Sequence, residues 1–170
     1  MNFLPQEDLV IETSLSPDEV RQKLDAVTGP PCLNPFKRRD RKPFEGRLNG
    51  NSFEITRTSL YRNSFLPVIR GKFQSNGSGT DLQIRMRLHK FVGIFMSFWL
   101  GTLAFQSMTL TPIVISKVVV AKGLYAAISH PVLLTSLVPV ILLVGGYLIC
   151  WVGFRAEAWL AKKILNQALQ

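Results

Sequence analysis

Between Phe91 and Ser116 the chain carries no charged residue, and between Gly123 and Phe154 only His130 could take up a charge. A bilayer core of roughly 30 Å is crossed by about 20 helical residues, so each run is long enough to span. Residues 91–111 form the first candidate span, because Pro112 suits a helix end. Residues 131–153 form the second, with Pro131 at a natural helix start and Arg155 just beyond the end. A soluble head of about 90 residues could not wrap two helices that are apolar all round. The expectation is a transmembrane hairpin over residues 90–154.

Charge divides the chain the same way. Residues 1–90 hold 15 of the 20 Lys and Arg and 10 of the 11 Asp and Glu, whereas residues 91–154 hold only Lys117 and Lys122. Three parts follow: a head over residues 1–89, the hairpin, and a tail over residues 155–170. Arg85, Arg87 and Lys90 precede the first span and Arg155, Lys162 and Lys163 follow the second, six cations against two in the connector. That bias predicts a multi-pass membrane protein with both termini cytoplasmic. Residues 1–10 carry Glu7 and Asp8 and no basic segment before an apolar one, so the first span is expected to serve as the internal signal. Cys32 and Cys150 fall in different parts and are expected as free thiols, which suits a reducing compartment.

Within the first span Gly93, Ser97 and Gly101 recur every four residues, with Ala104 on the same side. Such a small-residue face lets another helix backbone come close. Thr102, Gln106 and Thr109 lie almost opposite, and the Gln106 amide needs a partner on another helix or in water. Gly145, Gly146 and Gly153 are the complementary small surface of the second span, and Pro139 is a candidate kink. Neither span holds Asp, Glu, Lys or Arg, which argues against conduction or transport.

The head reads as α+β. Residues 7–13 alternate like a strand; Ser16 caps a helix with Pro17 first and Asp18 and Glu19 in the first turn; Gly29-Pro30-Pro31 stops it. Four strands are predicted over residues 44–49, 52–58, 67–75 and 80–89, the first two joined at Asn49-Gly50. In the last, Leu82, Ile84, Met86 and Leu88 point one way and Gln83, Arg85 and Arg87 the other. A strand, a helix and an antiparallel meander result, with the helix over the apolar face. This is loosely how helix-grip ligand-binding folds begin, without their long closing helix. The tail reads as an amphipathic helix, with Ala158, Leu160, Ala161, Ile164, Leu165, Ala168 and Leu169 on one half and Glu157 and Trp159 off-pattern. Either it lies on lipid, with Trp159 as anchor, or it covers the sheet; one short helix leaves apolar sheet exposed, so the sheet is favoured.

Arg70, Lys72, Arg85, Arg87 and Lys90 form a candidate surface for anionic lipid or a partner protein, since cations near such a leaflet gain about 1 kcal/mol each. Residues 37–42 form a second basic run. The pI near 10 would suit nucleic acid, but no reading motif accompanies it. The segment Tyr61-Arg62-Asn63-Ser64-Phe65-Leu66-Pro67-Val68-Ile69-Arg70-Gly71, followed by Met86-Arg87-Leu88-His89, resembles uncharacterised bacterial membrane proteins, cyanobacterial ones among them. The resemblance covers about residues 44–100 and implies a small β-rich cytosolic head on membrane helices, without a known activity. It makes Arg62 and Asn63 a candidate functional loop, against the plainer role of shaping a turn.

No catalytic constellation is legible. His89 and His130 are expected on opposite sides of the membrane, Ser64 has no identifiable base, and no metal, phosphate-loop or nucleophile-elbow motif occurs. No cofactor is expected. The reading is a non-enzymatic integral membrane protein whose basic head binds anionic lipid or a partner protein, with homo-oligomers possible and no nucleic acid. Its rivals are an amphiphile-handling protein with a cavity lined by Phe44, Phe53, Phe73 and Met86, and an accessory subunit of a larger membrane complex.

Overall fold

A computed structural model describes residues 4–31, 42–59, 63–120 and 131–169. The chain divides into two compact units, residues 1–92 with 152–170, and residues 93–151.

The first unit is built on a six-stranded sheet. Strand β1 (Gln6–Thr13) is followed by helix α1 (Pro17–Val27), β2 (Thr28–Gly29), β3 (Phe44–Asn49), β4 (Ser52–Arg57), β5 (Pro67–Ser75) and β6 (Thr80–Leu88). The strand order is β1-β6-β5-β4-β3-β2. Strands β3 to β6 are the expected antiparallel meander, and β1 pairs antiparallel with β6 from Gln6↔Arg87 to Thr13↔Thr80. β2 was not foreseen: after α1 the backbone at Thr28 is extended and pairs parallel with the start of β3. Two residues are too few to carry an alternation signal.

Helix α1 begins as its sequence dictates. Ser16 Oγ accepts from the Glu19 N–H, the Glu19 carboxylate accepts from the Ser16 N–H at 2.8 Å, and Pro17 opens the first turn. The Ser16 backbone N–H, with its hydroxyl second, holds the Glu19 carboxyl below the ordinary glutamate value. At the other end Lys42 Nζ donates to the carbonyls of Asp25 (2.6 Å) and Thr28 (3.1 Å), a cation at the negative end of the helix. This gives one member of the basic run a structural task; residues 37–41 lie outside the described residues. The turn after β3 consists of Gly50, at φ +55°, and Asn51. Gly71 is required for packing: a Cβ there would sit 2.2 Å from the Phe53 ring, which stacks on Phe73 with centroids 6.5 Å apart.

One face of the sheet is apolar and buried. Phe44, Phe53, Ile55, Ile69, Phe73, Leu82, Ile84, Met86 and Leu88 lie on it, with Val20 and Leu24 of α1. The C-terminal stretch of the last helix, α3 (Pro131–Leu169), completes this core with buried Phe154, Ala158, Ala161, Leu165 and Leu169. The tail therefore docks on the sheet and supplies the closing helix missing from the sequence reading of the head. Its inward stripe also includes Glu157, which the helical wheel left off-pattern, whereas Leu160 faces outward.

Two helices are long and apolar enough to cross a membrane: α2 (Lys90–Val120) and α3. Only 11% and 17% of their most apolar windows are buried within the protein, unlike core helices of a soluble fold. The second unit comprises residues 93–151 of these helices, and there Trp99 of α2 packs on Gly146 of α3, where a Cβ would lie 2.1 Å from the ring.

One helix bound differs from expectation. α2 runs through Pro112 to Val120 instead of ending at residue 111. An interior proline costs about 3 kcal/mol in water, but ending a helix in an apolar medium strands several backbone groups at once. α3 continues through Pro139, the candidate kink, and past residue 153 to Leu169, so the tail emerges from the second span as one helix. No Gly or Pro follows Gly153, and the Ala, Leu, Lys and Glu that do are strong helix formers. The connector residues 121–130 lie outside the described residues, as do Cys32 and His130; Cys150 is a free, buried thiol.

Candidate functional site: a buried carboxylate and a polar sheet face

Glu157 is the one acidic residue after position 90, and its side chain is almost completely enclosed, with the residue 3% exposed. α3 turns it toward the apolar face of the sheet, where Arg57, last residue of β4, comes up from below. Arg57 Nε donates to Glu157 Oε2 at 2.8 Å, and Nη2 donates to the same oxygen. Asn63 Nδ2 donates to Oε1 at 2.7 Å. The Asn63 carbonyl oxygen meanwhile accepts from the Phe65 N–H at 3.0 Å, and Phe65 lies against Gly153 of α3. Asn63 therefore shapes its loop, as the plainer reading had it, and also links that loop to the helix. Arg62 lies outside the described residues.

A buried carboxylate needs a charge partner and hydrogen bonds to both oxygens to remain ionised at tolerable cost. Glu157 has both. A second ion pair, Lys162 Nζ to Glu7 Oε1 at 2.5 Å, ties the same helix to β1 at the far edge of the sheet. Between β4 and β1 the contact is apolar, so charge sets where α3 sits and burial supplies the attraction.

The cations expected to face lipid lie on the open side of the sheet, and the register arranges them in rows. One row runs Arg47, Glu54, Arg70, Arg85, Asp8 across five strands. Arg70 and Arg85 are direct neighbours of like charge, but each has a carboxylate on its other flank, Glu54 at 2.9 Å and Asp8 at 2.8 Å. These two arginines are thus neutralised within the sheet. Lys72, Arg87 and Lys90 are exposed and have no carboxylate partner among the described residues. On the outer side of α3, Lys163 Nζ lies 5.6 Å from the ring centroid of Trp159, which is 58% exposed.

The helix-packing residues separate. Ser97 and Gly101 are exposed, and nothing approaches within 4 Å of a Cβ placed on Gly101; Gly93 is half-buried. Met96, Leu103 and Val114 are buried on another side of α2, and the contact with α3 is that of Trp99 on Gly146. Gln106 is exposed.

The four side chains expected around a ligand cavity, Phe44, Phe53, Phe73 and Met86, are buried in the core. A depression of about 410 Å³ lies elsewhere, at the end of β1, lined by Ile11, Thr13, Leu15, Asn166 and Leu169 among others. Among the described residues no three His, Cys, Asp or Glu side chains converge as a metal site. Sequence reasoning missed Arg57 and Glu157 as partners, although a lone carboxylate in an apolar helix is itself a signal that a cation must meet it. No protein-family model, curated protein or solved structure matches the chain.

Proposed function

We propose that this is a non-catalytic integral membrane protein whose sheet domain binds anionic phospholipid headgroups at the cytoplasmic face of the bacterial cell membrane that α2 and α3 span. The observation that carries this reading is the contrast among the basic residues. Arg70 and Arg85 already hold carboxylates, whereas Arg87 and Lys90 are exposed without one among the described residues, where β6 passes into the apolar helix α2. A span starting at Lys90 puts both cations at headgroup depth. Trp159 and Lys163, an exposed aromatic and cation on one turn of α3, are the residue types favoured at the same depth. The six-to-two bias of flanking cations supports a topology with both termini in the cytoplasm.

Lipid is favoured over a carried amphiphile because Phe53 and Phe73, which would line a cavity, stack on each other, and Phe44 and Met86 are buried with them in the core. The test is lipid selection by the full-length protein in vesicles mixing phosphatidylglycerol and phosphatidylcholine, read from lipids retained in native mass spectrometry. At about 1 kcal/mol per cation, Arg87→Gln with Lys90→Gln should lower phosphatidylglycerol enrichment about thirtyfold at low salt. Arg70→Gln with Arg85→Gln should change it little. Equal retention of the two lipids by wild type would overturn the proposal.

A further inference from the structure

Helix α2 holds several polar side chains in an otherwise apolar sequence, and they differ in whether the helix can satisfy them. Thr102 Oγ1 donates to the Phe98 carbonyl at 2.9 Å, Ser107 Oγ to Leu103 at 2.8 Å and Ser116 Oγ to Ile113 at 2.8 Å. Thr109 Oγ1 reaches the carbonyls of Phe105 and Gln106 at 3.1 and 3.0 Å. A hydroxyl on a short stem can return its proton to the preceding turn. The primary amide of Gln106 has two N–H donors and a carbonyl. It is exposed, has no hydrogen bond within the described residues, and lies close to the middle of the 31-residue helix. If α2 spans the bilayer, this amide sits where lipid offers neither donor nor acceptor.

Its neighbours indicate what meets it. Thr102, Gln106, Thr109 and Ile113 follow at gaps of four, three and four, and all four are exposed. That is the spacing of a seam between two helices packed side by side. Trp99, seven residues before Gln106, continues the same stripe toward the start of α2 and packs on Gly146 of α3, so the seam adjoins the α3-facing side, while its own four residues stay exposed.

We infer that two copies of this chain pair in the membrane through parallel α2 helices along this seam, the two Gln106 amides exchanging N–H···O=C hydrogen bonds across a two-fold axis. An amide is donor and acceptor at once, so a symmetric contact satisfies it. Copies inserted with one orientation carry Gln106 at one depth, which a second copy matches automatically. The small-residue face of Gly93, Ser97 and Gly101 lies on a different side of α2 and stays outside this contact. The inference rests on α2 spanning the membrane.

The experiment uses the full chain with Cys32→Ser and Cys150→Ser, expressed at low level and oxidised in native membranes. Thr102→Cys, Thr109→Cys and Ile113→Cys should each give a disulfide dimer, whereas Ser97→Cys and Ala104→Cys should not. Adding Gln106→Leu should weaken dimerisation roughly 3- to 30-fold by energy transfer in vesicles of varied protein-to-lipid ratio, and Gln106→Asn should retain most of it. Crosslinking from Ser97 and Ala104 in place of the seam would overturn the inference, as would a dimer indifferent to Gln106→Leu. Release of the protein by alkaline carbonate would overturn the spanning reading and this inference with it; a membrane-retained monomer would overturn the pairing alone.

Discussion

Residues 6–88 and residues 93–151 are both rich in large apolar side chains and treat them in opposite ways. In the sheet Phe44, Phe53 and Phe73 are fully enclosed, and the side chains exposed on the opposite face are mostly charged or amide-bearing. In α2, Phe91, Phe95, Phe98 and Phe105 are all exposed, Phe98 at 76%. A sheet in water has one apolar face to bury and a period of two in which to encode it. On the reading that α2 spans the bilayer, it has no face to hide, which fits its slight amphipathic pattern and a contact as local as Trp99 on Gly146. The same residue type is core in one region and surface in the other, and the proposed membrane accounts for the difference.

Substituting one phenylalanine in each region is the strongest way to break this contrast. Phe73→Ala should cost about 3–5 kcal/mol of stability, because a full ring leaves a cavity under the sheet. Phe98→Ala should cost under about 1 kcal/mol in lipid, where the removed ring is replaced by acyl chain. Urea unfolding of the head and thermal melts in nanodiscs measure the two, and equal losses would remove the distinction.

The helix that belongs to both regions sharpens it. Arg57→Met should destabilise docking of residues 152–169 by about 3–5 kcal/mol, since it strands the buried Glu157 carboxylate. Adding Glu157→Leu should recover much of that loss, because an apolar pair of similar volume needs no desolvation of charge. Limited proteolysis after residue 154 follows the docking. A double variant as unstable as Arg57→Met alone would mean that the pair contributes more than charge compensation.

Legibility followed the same division. β6 alternates over nine residues against a buried face, and its direction and partners follow from that pattern. Ser16-Pro17-Asp18-Glu19 is a local signal, and the capping box forms where it stands. β2 and the pairing of β1 with β6 are long-range choices that no local pattern encodes. The end of α2 was misjudged because Pro112 was weighed as a helix end, whereas Arg155 closes the apolar run and the helix continues into the tail. Two of the five cations of the candidate basic surface proved to be paired, since Glu54 and Asp8 reach Arg70 and Arg85 only through cross-strand register. Glu157 stood out in the sequence, but Arg57 and Asn63 are about 100 residues away, beyond any spacing rule.

The smallest expected effect lies at the start of α1. Because the Glu19 carboxyl is held below its ordinary value of 4.5, its contribution is fully present above that pH and is lost as pH falls through the lower folded value. Ser16→Ala removes the hydroxyl partner of Glu19 and should flatten this part of the pH dependence of the unfolding midpoint below about pH 4.5. An unaltered acid limb in Ser16→Ala would show that the cap does not couple to protonation.

The contrast between the two regions is tested most directly by the reactivity of matched exposed positions. Val10, 58% exposed on β1, and Phe98, 76% exposed on α2, are each replaced by cysteine in the background lacking Cys32 and Cys150. Native membranes opened by freeze–thaw are treated with a membrane-impermeant maleimide, so that reagent reaches both surfaces. The expected result is rapid labelling of Val10→Cys and none of Phe98→Cys until the protein is denatured. Labelling of Phe98→Cys at the rate of Val10→Cys in intact membranes would contradict the reading, because an exposed residue bathed in water does not lie in lipid.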